Sequence, residues 1–154
     1  MARKLNEQAQ LMYQNNIKSS PRDDNIIESS TIKFKDGGIY TGKLKNAKMD
    51  GKGKYTWANL DLYEGDFVEG VMQGFGKMRS KEGCVYEGEW INGKMDGPGK
   101  FTWKSGIMYE GQMEKGYCEG KGTLKWPNGD TWVGKFKQNE RNGKGVLYDK
   151  DNVE

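Results

Sequence analysis

The chain has 154 residues, of which 34% are hydrophobic, 31% charged and 12% aromatic, with 23 glycines. That apolar content is lean for a thick two-layer core, and so many rings and glycines together exclude a disordered tail; the mix fits a thin sheet in which large side chains pack over bare backbone. A net charge of +3 is too small to call for nucleic acid, and the absence of histidine removes His-based triads, His metal sites and His proton shuttles.

The opening residues, MARKLNEQAQ, lack the apolar core of a signal peptide, and no stretch approaches the length of a membrane span. Leu5, Ala9, Met12 and Tyr13 fall at helical spacing and predict a short helix over 2–15. Ser19-Ser20-Pro21 through Asp24 reads as a linker, so residues 1–30 are expected to form an N-terminal helix and linker, ordered only where they dock. Thr31-Ile32-Lys33-Phe34 with Asp36-Gly37 then makes a half repeat over 31–37 that sets Ile32 beside Tyr40.

From there the chain repeats. Tyr40, Tyr63, Tyr86, Tyr109 and Trp132 lie 23 residues apart, each followed two residues later by a glycine and two further on by Leu44, Phe67, Trp90, Met113 or Phe136. A second glycine pair keeps the same period, from Gly51/Gly53 to Gly143/Gly145. The sheet domain is thus expected over 31–150, with repeats at about 38–60, 61–83, 84–106, 107–129 and 130–152. Within a unit the spacing is two, the period of a strand, so each unit predicts two strands: 38–45 and 48–57, 61–68 and 71–80, 84–91 and 94–103, 107–114 and 117–126, 130–137 and 140–148.

Asn92-Gly93 marks a two-residue hairpin turn, and folding about it is expected to pair Trp90 with Met95, Gly88 with Gly97, and Tyr86 with Gly99. The joins Lys81-Glu82-Gly83, Lys104-Ser105-Gly106 and Pro127-Asn128-Gly129 read as three-residue hairpin loops, with Asn59-Leu60 departing at the first. Folding there pairs Tyr55 with Tyr63, Met78 with Tyr86 and Phe101 with Tyr109 on one face. The same register sets Lys54 against Glu64, Lys77 against Glu87 and Lys100 against Glu110 on the other. One register satisfies both faces, which predicts a continuous antiparallel meander.

The aromatic face is the candidate binding surface: Tyr40, Tyr63, Tyr86, Tyr109 and Trp132 in one row, Phe67, Trp90 and Phe136 in a second, and Trp103 and Trp126 at the far ends of the returning strands. The rings must also cover glycine backbone. A single-layer sheet has no second sheet to bury them, however, and a strip about 50 Å long at normal strand spacing suits a protein partner. The hot spot is expected around Trp90, Trp103 and Trp126, with the N-terminal helix as a rival occupant. Lys43, Lys45, Lys48 and Lys52, with Lys54, make the first repeat basic and offer the alternative of a peripheral membrane adaptor that binds anionic lipid. Such a run also reads as a solvated face, since Lys54 has Glu64 opposite it.

No catalytic constellation, metal set or cofactor motif emerges. The Gly-Lys-Gly strings lack the GxxxxGK[ST] pattern of a phosphate loop. Two cysteines, Cys84 and Cys118, fit a reducing compartment; three strands apart, about 14 Å, they can neither bridge nor share a metal. Met49, Met72, Met95 and Cys118 form a core-filling column opposite Leu44, Phe67, Trp90 and Met113.

The columns resemble the MORN repeat, roughly Tyr-x-Gly-x-aromatic, a turn, then Gly-x-Gly, and Tyr86-Glu87-Gly88-Glu89-Trp90-Ile91-Asn92-Gly93-Lys94-Met95 matches it best. The resemblance covers about residues 31–150 and implies an all-β, single-layer twisted antiparallel meander with an aromatic-lined groove. Where the family often has His before the first glycine of the second strand, this chain has Asp50, Gln73, Asp96, Glu119 and Asn142. Repeat 5 departs further, with Trp132 for Tyr and Asp149 where an aromatic would sit. The resemblance implies a non-enzymatic protein–protein interaction scaffold in the cytoplasm, a subunit of a cytoskeletal assembly such as a ciliary or flagellar axoneme or its radial spoke head. It leaves homo-oligomerisation open.

Overall fold

Alternation at period two puts the ring, first glycine and next apolar residue of each unit on one face, and its charged residues on the other. The computed structural model describes residues 25–151, in which this alternation builds eleven strands: β1 Ile26–Lys33, β2 Ile39–Lys45, β3 Lys48–Thr56, β4 Leu62–Val68, β5 Val71–Arg79, β6 Val85–Ile91, β7 Lys94–Thr102, β8 Met108–Glu114, β9 Tyr117–Lys125, β10 Thr131–Lys137 and β11 Glu140–Tyr148. They lie in chain order in one open sheet, each antiparallel to its neighbours. The fold is all-β, a single-layer antiparallel meander, as the repeat predicted. The ends of β2–β11 fall within one residue of the expected bounds. The helix expected over 2–15 and the linker to Asp24 lie outside the described residues.

β1 begins at Ile26, five residues before the expected half repeat, and pairs Ile27 with Leu44, Ser30 with Gly42 and Ile32 with Tyr40. Glu28 and Ser30 stand where later units carry their glycine pair, so the period does not reveal this strand.

At the joins the expected register holds on both faces. Tyr55 pairs with Tyr63, Met78 with Tyr86 and Phe101 with Tyr109; Lys54 faces Glu64, Lys77 faces Glu87 and Lys100 faces Glu110. The first join keeps the geometry of the others without glycine. Trp57 donates to Asp61 O and Leu60 donates back to Trp57 O, with Leu60 at φ +72°.

Inside the hairpins the expected register fails beyond the turn. Trp90 pairs with Met95 as expected, but Gly88 pairs with Gly99 and Tyr86 with Phe101, two residues further along β7 than predicted. A bulge takes up the difference, and Gly97 sits within it at φ +99°, backbone that few side chains tolerate. Equivalent register shifts follow Gly42, Gly65, Gly111 and Gly134.

The Tyr86 ring nevertheless covers glycine, because it lies along the sheet over the Gly88–Gly99 pair rather than across from it. A Cβ built at Gly42, Gly65, Gly88 or Gly111 would come within 2.5–2.6 Å of the tyrosine hydroxyl of its unit. That close approach is why the position is glycine. The hydroxyls then donate to backbone at the residue facing the bulge: Tyr40 to Lys43 O at 2.7 Å, Tyr63 to Asp66 O at 3.0 Å, Tyr86 to Glu89 O at 2.9 Å and Tyr109 to Gln112 O at 2.7 Å.

Candidate functional site

Burial sorts the expected binding residues into two groups. Tyr40, Tyr63, Tyr86, Tyr109, Phe67, Trp90, Trp132 and Phe136 are all at most 7% exposed and form the sheet's own core. One layer suffices because rings of successive units cover one another edge to face. Tyr63 meets Phe67 and Trp90, both at 5.1 Å between centroids, and Trp90 also meets Tyr86 at 5.4 Å. Tyr40–Phe67, Tyr109–Phe136 and Trp132–Phe136 repeat the contact, each worth about 0.5–1.5 kcal/mol beyond burial. Trp90 Nε1 donates to Gly76 O at 3.2 Å, so its one polar group is satisfied inside the sheet. These eight side chains hold the surface up rather than present it. Burial also pushes the phenols upward in pKa, Tyr55 and Tyr86 to about 12 and Tyr40, Tyr63 and Tyr109 further still.

Trp103 and Trp126 are the two expected residues that stay half-exposed, with Trp57 in the same column of the first repeat. They lie immediately beyond the returning strands β7 and β9, two residues past Phe101 and Leu124. Trp103 packs on Phe101 at 4.8 Å and Trp57 on Tyr55 at 4.8 Å, which holds each indole against the core while leaving part of it uncovered. A cleft of about 550 Å³ opens beside Trp103, lined by Ile107, Cys118, Leu124, Phe136 and Arg141. Ser105, Asn139 and Glu140 complete its lining, which is mostly apolar.

Arg141 gives this cleft its character, and the repeat pattern carries the signal for it. The column Met49, Met72, Met95, Cys118, each opposite an apolar residue of its own hairpin, continues at Arg141, opposite Phe136. Four times the position plugs the core; in the last unit a guanidinium occupies it. Arg141 Cζ lies 5.7 Å from the Trp132 ring centroid and 5.8 Å from that of Trp126, within range of a cation–π contact with each. Among the described residues it makes no ion pair. The cleft therefore suits a ligand with an apolar group for its floor and a carboxylate for its rim.

The charged face is largely self-matched. Lys77 Nζ lies 2.8 Å from Glu87, and this hydrogen bond, helped by Lys100 and Arg79, holds the Glu87 carboxyl below its usual range. In the basic first repeat, Lys52 meets Asp66 at 2.8 Å, Lys48 meets Glu69 at 3.4 Å and Lys43 meets Glu28 at 3.4 Å, while Lys45 is also engaged. Carboxylates of neighbouring strands and of the β4–β5 turn thus already face lysines expected to meet lipid. No helix among the described residues is long and apolar enough to cross a membrane, which says nothing of strands. Among those residues no three His, Cys, Asp or Glu side chains gather where they could hold a metal ion. Both cysteines are free; Cys118 is buried, and desolvation pushes its thiol up to about 11.

The positions where the family often has His join one unit to the next in this chain. Asp50, Gln73, Asp96 and Glu119 each accept a hydrogen bond from a turn N–H of the following unit: Glu69 at 3.3 Å, Asn92 at 3.0 Å, Lys115 at 3.2 Å and Gln138 at 2.9 Å.

Five consecutive segments of the chain match the family described as MORN repeat: residues 40–61, 63–85, 86–108, 109–131 and 132–153. No curated protein sequence matches the chain. Among solved structures, the chain resembles the SAS-4 (dCPAP) TCP domain of Drosophila melanogaster, solved in complex with a proline-rich motif of Ana2 (dSTIL). The identity is 16% and the TM-score 0.34, over 85% of this chain and 90% of that one. A likeness that remote says nothing of this chain's partners.

Proposed function

The chain belongs to the MORN-repeat family, and from that premise we propose that it is a non-catalytic scaffold that grips a segment of another protein on its aromatic face. The observation that carries this reading is the cleft beside Trp103, where a half-exposed indole, the apolar side chains of Ile107 and Leu124, and a guanidinium with no carboxylate partner among the described residues converge. Buried aromatics and Arg are the usual anchors of a protein interface, and the rest of the groove would exclude water around them. The partner we propose offers an apolar side chain to the cleft floor and an acidic one to Arg141. The setting we propose is a cytoplasmic, cytoskeletal assembly, a ciliary or flagellar axoneme such as the radial spoke head, where MORN arrays serve as subunits.

The test starts from the partner that co-purifies with the native protein. Its affinity is measured for the wild-type chain and for Trp103→Ala, Arg141→Glu and the charged-face control Glu89→Lys, with folding checked by circular dichroism. Trp103→Ala is expected to weaken binding by about 2 kcal/mol or more, Arg141→Glu to weaken it as well, and Glu89→Lys to leave it intact. Loss of binding in Glu89→Lys alone would move the interface to the charged face.

A further inference from the structure

Each inner returning strand hands its edge to the next unit through one set of contacts. The bulge glycine faces an apolar residue: Gly51 faces Phe67, Gly74 Trp90, Gly97 Met113 and Gly120 Phe136. The next residue faces a polar or charged one, as Lys52 faces Asp66 at 2.8 Å, and the second glycine faces a glycine, as Gly99 faces Gly111. Two residues beyond, an apolar side chain faces the unit's ring, as Leu124 faces Trp132. The residue before the bulge glycine supplies the clamp, as Gln73 does to Asn92.

Among the described residues, β11 presents the whole set with nothing on it. Asn142, Gly143, Lys144, Gly145 and Leu147 hold the same five positions. Among the described residues the Asn142 side chain makes no hydrogen bond, Lys144 has no carboxylate, and a Cβ built on Gly143 meets no atom within 4 Å. Every residue of β11 is exposed, Val146 by 53% and Leu147 by 62%. The charge pattern changes at the same end. The alternating row from Lys54 to Glu110 gives way to Thr123 opposite Val133, and Lys121 stands directly opposite Lys135. Like charges facing one another are unfavourable unless a third group answers them.

We propose that the outer edge of β11 binds an extended acidic segment of a second protein by strand addition. The register dictates its sequence: an aromatic residue opposite Leu147, any residue, a small residue opposite Gly145, an acidic one opposite Lys144, and an apolar one opposite Gly143. A second copy of this chain does not supply it. The strands that carry the pattern, such as β6 with Tyr86, Gly88, Glu89 and Trp90, already have a neighbour on both sides, and among the described residues the open edges are β1 and β11. Pairing β11 with itself would bring two Lys144 side chains to one edge. This surface uses the strand edge rather than the cleft, so it stands or falls apart from the reading above.

The probe is a fluorescein-labelled heptapeptide copied from residues 85–91, Val-Tyr-Glu-Gly-Glu-Trp-Ile, titrated into the full chain and read by fluorescence anisotropy. The expected result is saturable binding, weakened about tenfold or more, or 1.4 kcal/mol, by Lys144→Glu. That variant should instead favour the peptide in which the second glutamate is lysine. Amide exchange should slow in Glu140–Tyr148 and not elsewhere, and Trp103→Ala should leave the peptide affinity unchanged. Three results overturn the proposal: no binding, equal affinity of both peptides for both chains, or a dimer of the chain that sedimentation shows to occlude the edge.

Discussion

Repeats 3 and 5 share their length, their glycine columns and their hairpin turn, yet they differ in what covers them. In repeat 3, Tyr86 and Trp90 are 2% and 3% exposed, and β7 is half-buried through most of its length because β8 lies beside it. In repeat 5 the rings of β10 are still buried, Trp132 at 7% and Phe136 at 4%, while β11 is exposed at every position. The difference follows from the direction of contact. Each unit's first strand is covered by the unit before it, as Trp90 is by Tyr63, and its returning strand by the unit after it. A single-layer repeat is therefore stabilised through its interfaces more than within its units, and β11, the last of the described strands, holds the positions of an interface without contacts to them from the described residues.

The largest expected effect tests that asymmetry at two glycines. Gly99→Ala puts a Cβ 2.7 Å from the Tyr86 Cζ, so either the ring or the β6–β7 pairing must move. Overpacking of this kind should cost about 3 kcal/mol. Gly143→Ala meets open space and is opposed only by its backbone, at φ +71°. Its cost should be about 1 kcal/mol. Urea melts of both variants decide the matter, and equal midpoints would mean that backbone conformation, rather than the ring above it, governs the glycine columns.

The same two regions explain what the sequence reveals and what it hides. The joins were legible because three signals coincide there: a turn glycine, a large apolar side chain facing a ring, and lysine facing glutamate, as in Met78–Tyr86 with Lys77–Glu87. The hairpins were legible only as far as Trp90–Met95. Beyond it Gly97 and Gly99 look alike in sequence, but one is the bulge and the other lies under a ring. The site was harder still. Counting rings marks ten aromatic candidates but not that eight of them bury one another, since edge-to-face packing between units depends on the bulge that shifts the register. Arg141 was readable in principle as the break in the methionine column; β1 was not, because Glu28 and Ser30 erase its glycines.

A smaller effect separates the units by pH. Burial raises the Tyr86 phenol to about 12 from its ordinary 10.0, so the folded chain keeps a proton that the unfolded chain releases. Stability from this group is complete below pH 10 and is lost as pH rises from 10 towards 12. At pH 11 the loss from Tyr86 alone should be about 1 kcal/mol. Repeat 5 carries Trp132 in that place and has no such proton to lose. Tyr86→Phe should be less stable than the parent at pH 7, where it forfeits the hydrogen bond to Glu89 O, and should close that gap by pH 11. Thermal melts across this range that ran parallel for the two proteins would show the phenol to be solvated rather than buried.

The smallest effect compares two amide side chains at the same position of the repeat. Gln73 accepts from the Asn92 N–H at 3.0 Å, tying repeat 2 to the turn of repeat 3. Asn142 occupies the equivalent place in β11, where no described residue offers it a donor. Both are neutral, so truncation changes no charge, and both sit on returning strands after a hairpin turn. Gln73→Ala should therefore cost about 0.5 kcal/mol, the low end for a neutral hydrogen bond beside solvent, and Asn142→Ala should cost nothing measurable. Differences this small are read best from the urea midpoint of each variant at constant slope. Equal losses would show that the side chain acts within its own strand, through backbone preference. Were Asn142→Ala neutral in the isolated chain but harmful to binding of the acidic heptapeptide, the clamp would be acting on β11 as it acts between inner repeats, with the added segment in the place of a sixth unit.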